Sequence, residues 1–332
     1  MSIMRLGIDI GATRVRALVS ADQEVGVDID GDNKSEIIRK RIEDLLEENE
    51  GSEKQRLLDG VKQLIWDVCD EIGIHPSEIR TAGIGSIGPL DMETGSIAHS
   101  SNLPRTVENL RIVDAVKDRI DSQDVVLLND STAGLLGERF HQETTANPLN
   151  KNMIYLTLST GISAGVSVDA EVLGGNVGEV GHWVLDPEGA LTCGCGEDGH
   201  WEAYCGGSNI PDYSKHLYEK NKISTDLPIH SNFLSTPEIF RKYGNDNLAT
   251  LTISRVQDWN EIGVVNLIHA FEPSVISIGG GVAISNKELL IQDLNDRIQD
   301  SVIVNPPEIR SPVLGGDIVA RGALGVAFRG DY

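Results

Sequence analysis

With 28 Lys and Arg against 51 Asp and Glu, the 332-residue chain carries a formal charge of −23 at pH 7, which argues against a surface built for nucleic acid or anionic lipid. Hydrophobic residues at 40 % and glycine at 35 positions suit a globular protein with many tight turns. The length exceeds what a single core usually organises, so two domains are expected. Four cysteines make no disulfide framework in a chain of this size. The opening MSIMRLGIDI lacks the pattern of a secretion signal, and no apolar run is long enough to span a bilayer. A soluble, cytoplasmic protein with no membrane or nucleic-acid partner is therefore expected. Arginine outnumbers lysine, a balance that suits a high-salt cytoplasm and equally an ordinary acidic enzyme.

Arg5 to Ile10 and Val15 to Val19 are apolar runs broken by Gly11-Ala12-Thr13, which predicts a β-hairpin whose turn carries Asp9 and Thr13. A charged stretch from Asp28 to Glu53 follows, with helical spacing in IIRKRIEDLLEENE, Ile37 to Glu50. In LLDGVKQLIWDVCDEIG, the residues Leu57, Val61, Leu64, Ile65 and Val68 share one helical face. Ile79 to Gly85 reads as a buried strand, and Gly88 to Ala98 has the punctuation of a hairpin excursion. Asp124 to Leu128 is a short strand, then Asn129-Asp130-Ser131 leads into the helix-like TAGLLGERF. Met153 to Ser159 and Gly165 to Val168 are strands parted by Thr160-Gly161-Ile162-Ser163. Further on, helices are predicted near Asn209 to Tyr218, Thr236 to Tyr243 and Leu248 to Phe271. Val275 to Ile278 is a strand ending in Gly279-Gly280-Gly281, with a helix around Lys287 to Asp300 and a closing helix in GDIVARGALGVAF. Two similar blocks, each opening on a strand pair with a tight turn, outline a duplicated α/β unit, with a cleft between the halves as the default ligand site.

The densest chemistry lies between Gly178 and Gly207. Cys193 and Cys195 offer thiolates and His182 and His200 imidazoles, the S2N2 set that suits tetrahedral zinc. Cys-x-Cys is tighter than the usual zinc-finger spacing, and the same residues could be buried thiols and surface imidazoles. Glu179 and Glu202 are the wrong ligand type for a closed thiolate site and are free to face a polar ligand. The turns Asp9 to Thr13 and Ser159 to Ser163 set small residues and hydroxyls between strands, where backbone N–H groups can cradle phosphate oxygens without positive side chains. Asp9 would repel phosphate directly, so its expected role is to hold Mg2+ or its waters. Gly280 and Gly281 leave room for an adenine or ribose against the backbone, or serve a strand-to-helix turn. Asn129 and Asp130 sit where a strand meets a helix. Both are favoured N-caps, and Asp130 can equally accept the proton of a substrate hydroxyl while Asn129 binds the neighbouring one.

Together, LGIDIGATR, LLNDSTAGLLGE, GEVGH, CGCGEDGHWEAYCGG and ISIGGGVA resemble the ROK family of repressors and sugar kinases, and within it the ATP-dependent glucokinases. The resemblance covers almost the whole chain. It implies an α/β fold of the actin-like, hexokinase type (ribonuclease H-like) with two domains. One would be 1–128 plus the C-terminal helix at about 316–332, the other 129–315 with the zinc knuckle 178–207. It implies Asp130 as catalytic base on the sugar 6-hydroxyl, and Asn102, Asn129, Glu179, His182 and Glu202 as sugar contacts, with His182 shared between sugar and zinc. Gly11, Thr13, Thr160 and Gly161 would form the phosphate loops, and Gly280 and Gly281 the adenosine site. ATP, Mg2+ and a structural Zn2+ are the implied cofactors, sugar and nucleotide the ligands, and a dimer or tetramer the assembly.

Three departures stand out. His200 replaces the family's third knuckle cysteine, Gly11-Ala12-Thr13-Arg14 stands for Gly-Gly-Thr-Lys, and Ser159-Thr160-Gly161-Ile162-Ser163 for Gly-Thr-Gly-Ile-Gly. Kinases of N-acetylmannosamine, N-acetylglucosamine, fructose or allose use a similar frame, and ADP or polyphosphate could replace ATP as donor. Family repressors carry a helix-turn-helix before the first loop, whereas four residues precede Arg5 here, so DNA binding is not expected. A non-catalytic sugar-binding regulator is the remaining alternative.

Overall fold

The computed structural model describes residues 3–21, 37–99, 107–144 and 151–330. In chain order the first elements are β1 (Met4–Ile10), β2 (Arg14–Ser20), β3 (Ile38–Arg41), α1 (Ile42–Glu48), α2 (Glu53–Glu71), β4 (Ile79–Ser86), β5 (Leu90–Asp91), β6 (Ser96–His99) and β7 (Glu108–Leu110). Next come α3 (Ile112–Ile120), β8 (Asp124–Asn129), α4 (Asp130–Thr144), β9 (Met153–Leu158), β10 (Ile162–Val168), β11 (Glu171–Val172), α5 (Trp201–Cys205), α6 (Ile210–Asn221) and α7 (Thr236–Lys242). The last are α8 (Asn247–Phe271), β12 (Val275–Gly279), α9 (Gly281–Ser285), α10 (Asp293–Arg297), β13 (Glu308–Arg310) and α11 (Ile318–Arg329).

Two compact units result. The first joins Met1–Lys151, Gly165–Gly178 and Pro312–Tyr332, and the second joins Asn152–Ala164 and Glu179–Ser311. Two five-stranded sheets share one pattern, β3-β2-β1-β4-β8 and β11-β10-β9-β12-β13, as expected of a duplicated α/β unit. A small third sheet, β5-β6-β7, contains the expected hairpin excursion.

In the first unit, β1 pairs antiparallel with β2 and parallel with β4, which pairs parallel with β8. The apolar face of α2, with Leu57, Val61, Leu64, Ile65 and Val68, is buried in the same core as Leu6, Ile8 and Ile84. Ser52 caps α2 by accepting the Gln55 N–H at 3.2 Å. On the sheet's other partner, α11, close approach decides the sequence. A Cβ at Gly83 would lie 1.9 Å from the Ala323 carbonyl oxygen, and one at Gly322 would lie 1.8 Å from that of Ala133. Only glycine lets α11 lie this near both β4 and α4. This packing groups residues 129–151 with the first unit, where the sequence reading divides the chain after 128.

In the second unit, β12 pairs parallel with β9 and with β13. The long helix α8 is capped by Asp246, which accepts the Ala249 N–H at 2.9 Å. Its buried residues include Leu248, Ile253, Val256, Val264 and Leu267. Trp201, fully buried, lies against Gly263 and donates its indole N–H to Asn260 Oδ1 at 2.9 Å. That contact fixes α5, the helix that carries Glu202.

Three expectations need correction. Ile38–Arg41 is a strand, not the first turn of a helix, because pairing with β2 overrides the helical spacing that begins at Ile42. Ile162 and Ser163 already belong to β10, so the second turn is only Ser159 to Gly161. The helix expected at Lys287 to Asp300 is broken into a π-helical turn, α10 and a 3-10 turn. Among the described residues, no helix is long and apolar enough to cross a membrane.

Candidate functional site

In the first unit, the strand register brings Ile10, Ser86 and Asn129 into one row at the carboxyl ends of β1, β4 and β8. The hairpin turn of Gly11 to Thr13 and the Asn129-Asp130 pair thus lie on the same edge of one sheet, where open α/β sheets bind their ligands. The turn is closed by the Gly11 N–H donating to the Arg14 carbonyl at 2.9 Å, and the Thr13 carbonyl accepts the Ile42 N–H at 3.0 Å. Asp9 is 3 % exposed and ion-paired to Arg16, its partner across β1 and β2. Burial pushes the Asp9 carboxyl above its ordinary value, against the lowering influence of Arg16.

Asn129 ends β8, and its Oδ1 accepts from both the Ser131 N–H at 3.0 Å and the Ser131 hydroxyl at 2.6 Å. Asp130 opens α4 and accepts the same N–H at 2.7 Å through Oδ1. The capping chemistry read from the sequence is present, and it orients both side chains at the sheet edge. Asn102 lies outside the described residues.

In the second unit, the ligand atoms of His182, Cys193, Cys195 and His200 all lie within 4.8 Å of one another. Cys193 Sγ is 3.7 Å from His182 Nδ1, and Cys195 Sγ is 3.3 Å from His200 Nδ1. Tetrahedral zinc with ordinary Zn–S and Zn–N bonds needs S-to-N separations of about 3.5 Å, so the donor set and its spacing both fit the ion. Burial pushes the Cys193 thiol up to about 12, while a backbone hydrogen bond from Cys195 works the other way. A bound cation is what would hold the thiolate form here.

Two carboxylates flank the knuckle, and Cys193 Sγ lies 3.9 Å from Glu202 Oε1. His182 turns Nε2 toward Glu179, 3.8 Å away. Glu179 is raised above its ordinary value by burial, with His182 lowering and Glu202 raising it. Glu202 accepts the Ile162 N–H at 2.8 Å through Oε2, which ties the knuckle helix to the end of the Ser159 to Gly161 turn.

That turn follows β9, and Gly280-Gly281 follows the neighbouring parallel strand β12. Gly280 has φ +90°, and a Cβ there would meet the Leu158 carbonyl oxygen at 2.4 Å, so glycine is required. A third loop, not singled out from the sequence, completes the group. The Gly207 and Ser208 N–H groups donate to the carbonyls of Ser159 at 2.8 Å and Thr160 at 3.1 Å. Its signal was the Gly206-Gly207-Ser208 run at the end of the knuckle stretch. Thr160, Gly161, Gly280 and Gly281 are therefore gathered at one sheet edge.

Paired sheets of the same strand order, small-residue turns at their carboxyl edges and a Cys/His knuckle define a hexokinase-type, actin-like α/β protein. The chain belongs to the ROK family, whose model matches residues 5–329. A glucokinase of Pyrobaculum calidifontis is 31 % identical over 259 residues, covering 76 % of this chain and 80 % of that one. Among solved structures, a ROK hexokinase from Thermus thermophilus is 26 % identical with a TM-score of 0.71, covering 98 % of both chains. A ROK family glucokinase from Streptomyces griseus, in complex with glucose and AMPPNP, shares the fold at 22 % identity and a TM-score of 0.73, covering 98 % of this chain and 99 % of that one.

Proposed function

We propose that this ROK sugar kinase transfers the γ-phosphoryl group of ATP to the 6-hydroxyl of glucose. The observation that carries the reading is the placement of Asp130 at the carboxyl end of β8, on the sheet edge it shares with the hairpin turn of Asp9 to Thr13. Glucokinases among its relatives support glucose as acceptor, and the Streptomyces griseus glucokinase in complex with glucose and AMPPNP supports an adenine nucleotide as donor.

In this reading Asp130 accepts the proton of the 6-hydroxyl and orients its oxygen for in-line attack. Phosphoryl transfer passes through a loose transition state, so proton transfer can come late and an ordinary carboxylate suffices. Asn129, Glu179, His182 and Glu202 bind the remaining hydroxyls, and a charged or neutral acceptor at each selects the sugar's configuration. The turns at Gly11 to Thr13 and Ser159 to Gly161 offer backbone N–H groups to the phosphates, and Gly280 and Gly281 receive the adenosine. Mg2+, held by Asp9 directly or through water, would neutralise phosphate charge. Zinc on His182, Cys193, Cys195 and His200 would fix the imidazole that faces Glu179.

The test is coupled ADP release with Mg-ATP across a panel of hexoses and N-acetylhexosamines. Turnover with glucose above all others supports the reading. Preference for an N-acetylhexosamine would reassign the acceptor, and no turnover with any sugar would overturn the kinase assignment.

A further inference from the structure

Beside the hairpin turn of the first unit lies a row of four charges, of which the proposed chemistry uses only Asp9. Asp9 on β1 faces Arg16 on β2 across the antiparallel pair, and Arg16 faces Arg39 on β3 in the next. Asp317, the residue that leads into α11, closes the row: it meets Arg39 at 2.5 Å and lies 3.6 Å from Arg16 Nε. The charges alternate as Asp9, Arg16, Asp317, Arg39. Two guanidiniums and two carboxylates thus cancel at the edge of a strongly acidic protein.

Arg16 Nη1 donates to Asp9 Oδ2, and among the described residues Asp9 Oδ1 has no hydrogen bond or ion pair. The Asp9 side chain is 4 % exposed and that of Arg16 20 %. A buried carboxylate with one oxygen fixed by a guanidinium presents the other in a defined direction. Carboxylates that hold metal ions are commonly oriented this way by a hydrogen-bonded neighbour. Arg16 Nε, buried and without a hydrogen bond, lies 3.6 Å from Asp317 Oδ1.

We propose that Arg16 is a positioning residue for nucleotide binding: held between Asp9 and Asp317, it fixes the Asp9 carboxylate that would hold Mg2+ or its waters. The inference rests on the proposed role of Asp9. A side chain serving only to join the strands would affect stability alike with and without Mg2+. A positioning role affects the metal-dependent part of nucleotide binding.

The experiment measures AMPPNP binding by calorimetry at several Mg2+ concentrations, and glucose binding in parallel, for the native chain, Arg16→Met, Arg16→Lys and Asp9→Asn. Outer partners of metal ligands typically contribute about 10- to 100-fold in metal affinity, so Arg16→Met is expected to weaken Mg2+-dependent AMPPNP binding by at least about tenfold and leave glucose binding within about twofold. Arg16→Lys recovers part of the loss, because an ammonium can still hold one carboxylate oxygen. Retained glucose binding reports an intact fold for each variant. If Asp9→Asn abolishes the Mg2+ dependence and Arg16→Met does not change it, the role of Arg16 is overturned while that of Asp9 stands. If Asp9→Asn also has no effect, the metal role of Asp9 falls, and the inference with it.

Discussion

His182 and Glu179 meet across 3.8 Å through the ring nitrogen that His182 turns away from the Cys193 thiol. One imidazole therefore faces the Cys/His cluster with Nδ1 and a half-buried carboxylate with Nε2. The two sides are separable by mutation. His182→Ala is expected to lower zinc content and raise the KM for glucose together, whereas Glu179→Gln raises the KM and keeps the zinc. Elemental analysis and kinetics on the same preparations check both, with changes of about tenfold or more expected from loss of a ligand or its partner. Loss of zinc in Glu179→Gln with an unchanged KM would reverse the assignment.

The two glycines after β12 differ in what they can accept. Gly280→Ala forces a side chain into φ +90° and against the Leu158 carbonyl, and is expected to destabilise the protein by about 1–3 kcal/mol. At Gly281 the nearest atom to a new Cβ is 3.8 Å away, so Gly281→Ala should fold normally. If adenosine lies against this backbone, Gly281→Ala raises the KM for ATP with an unchanged melting temperature. An unchanged KM would move the nucleotide elsewhere.

What the sequence revealed, and what it did not, follows from how far apart the interacting residues are. The Asp9 to Thr13 turn, the Asn129-Asp130 pair and the Cys/His cluster were legible because each gathers its chemistry within one short stretch. The bond from the Ile162 N–H to Glu202 was not, because it joins residues forty positions apart. Arg16 beside Asp9 needed the β1–β2 register, and the support of the Ser159 to Gly161 turn by Gly207 and Ser208 needed the fold of the second unit. Ile38–Arg41 read as helix because its strand character comes from its neighbour β2. The glycines at 83 and 322 carried no visible message until α11 was seen against β4 and α4.

Asp246 supplies a pH-dependent part of the second unit's stability. Burial pushes its carboxyl up, but hydrogen bonds from the Ala249 and Asp226 N–H groups and the Thr225 hydroxyl outweigh it, and the group lies below its ordinary value of 3.8. A depressed value means stability that is present above pH 3.8 and lost as pH falls through the folded-state value. Asp246→Ala should destabilise by about 2 kcal/mol at neutral pH, the upper range for an N-cap. Thermal melts of both proteins down the acid range should converge; a gap that persists undiminished in strong acid would rule out the ionised cap.

The charge of −23 makes self-repulsion a property of the folded surface. Raising KCl from about 0.1 M to about 2 M shortens the screening length from about 10 Å to a few Å, so the melting temperature should rise with salt. A flat or falling dependence would show that the ion pairs, such as Arg297 with Asp258, Glu261 and Asp293, lose more to screening than repulsion costs.

The most direct measurement compares native protein with Asp130→Asn in glucose-dependent ADP release, with glucose binding followed separately. A positioned base contributes about 10²–10⁴-fold, so Asp130→Asn should lose turnover by at least two orders of magnitude while still binding glucose. Turnover near the native rate in Asp130→Asn would contradict the assignment of Asp130 as the base.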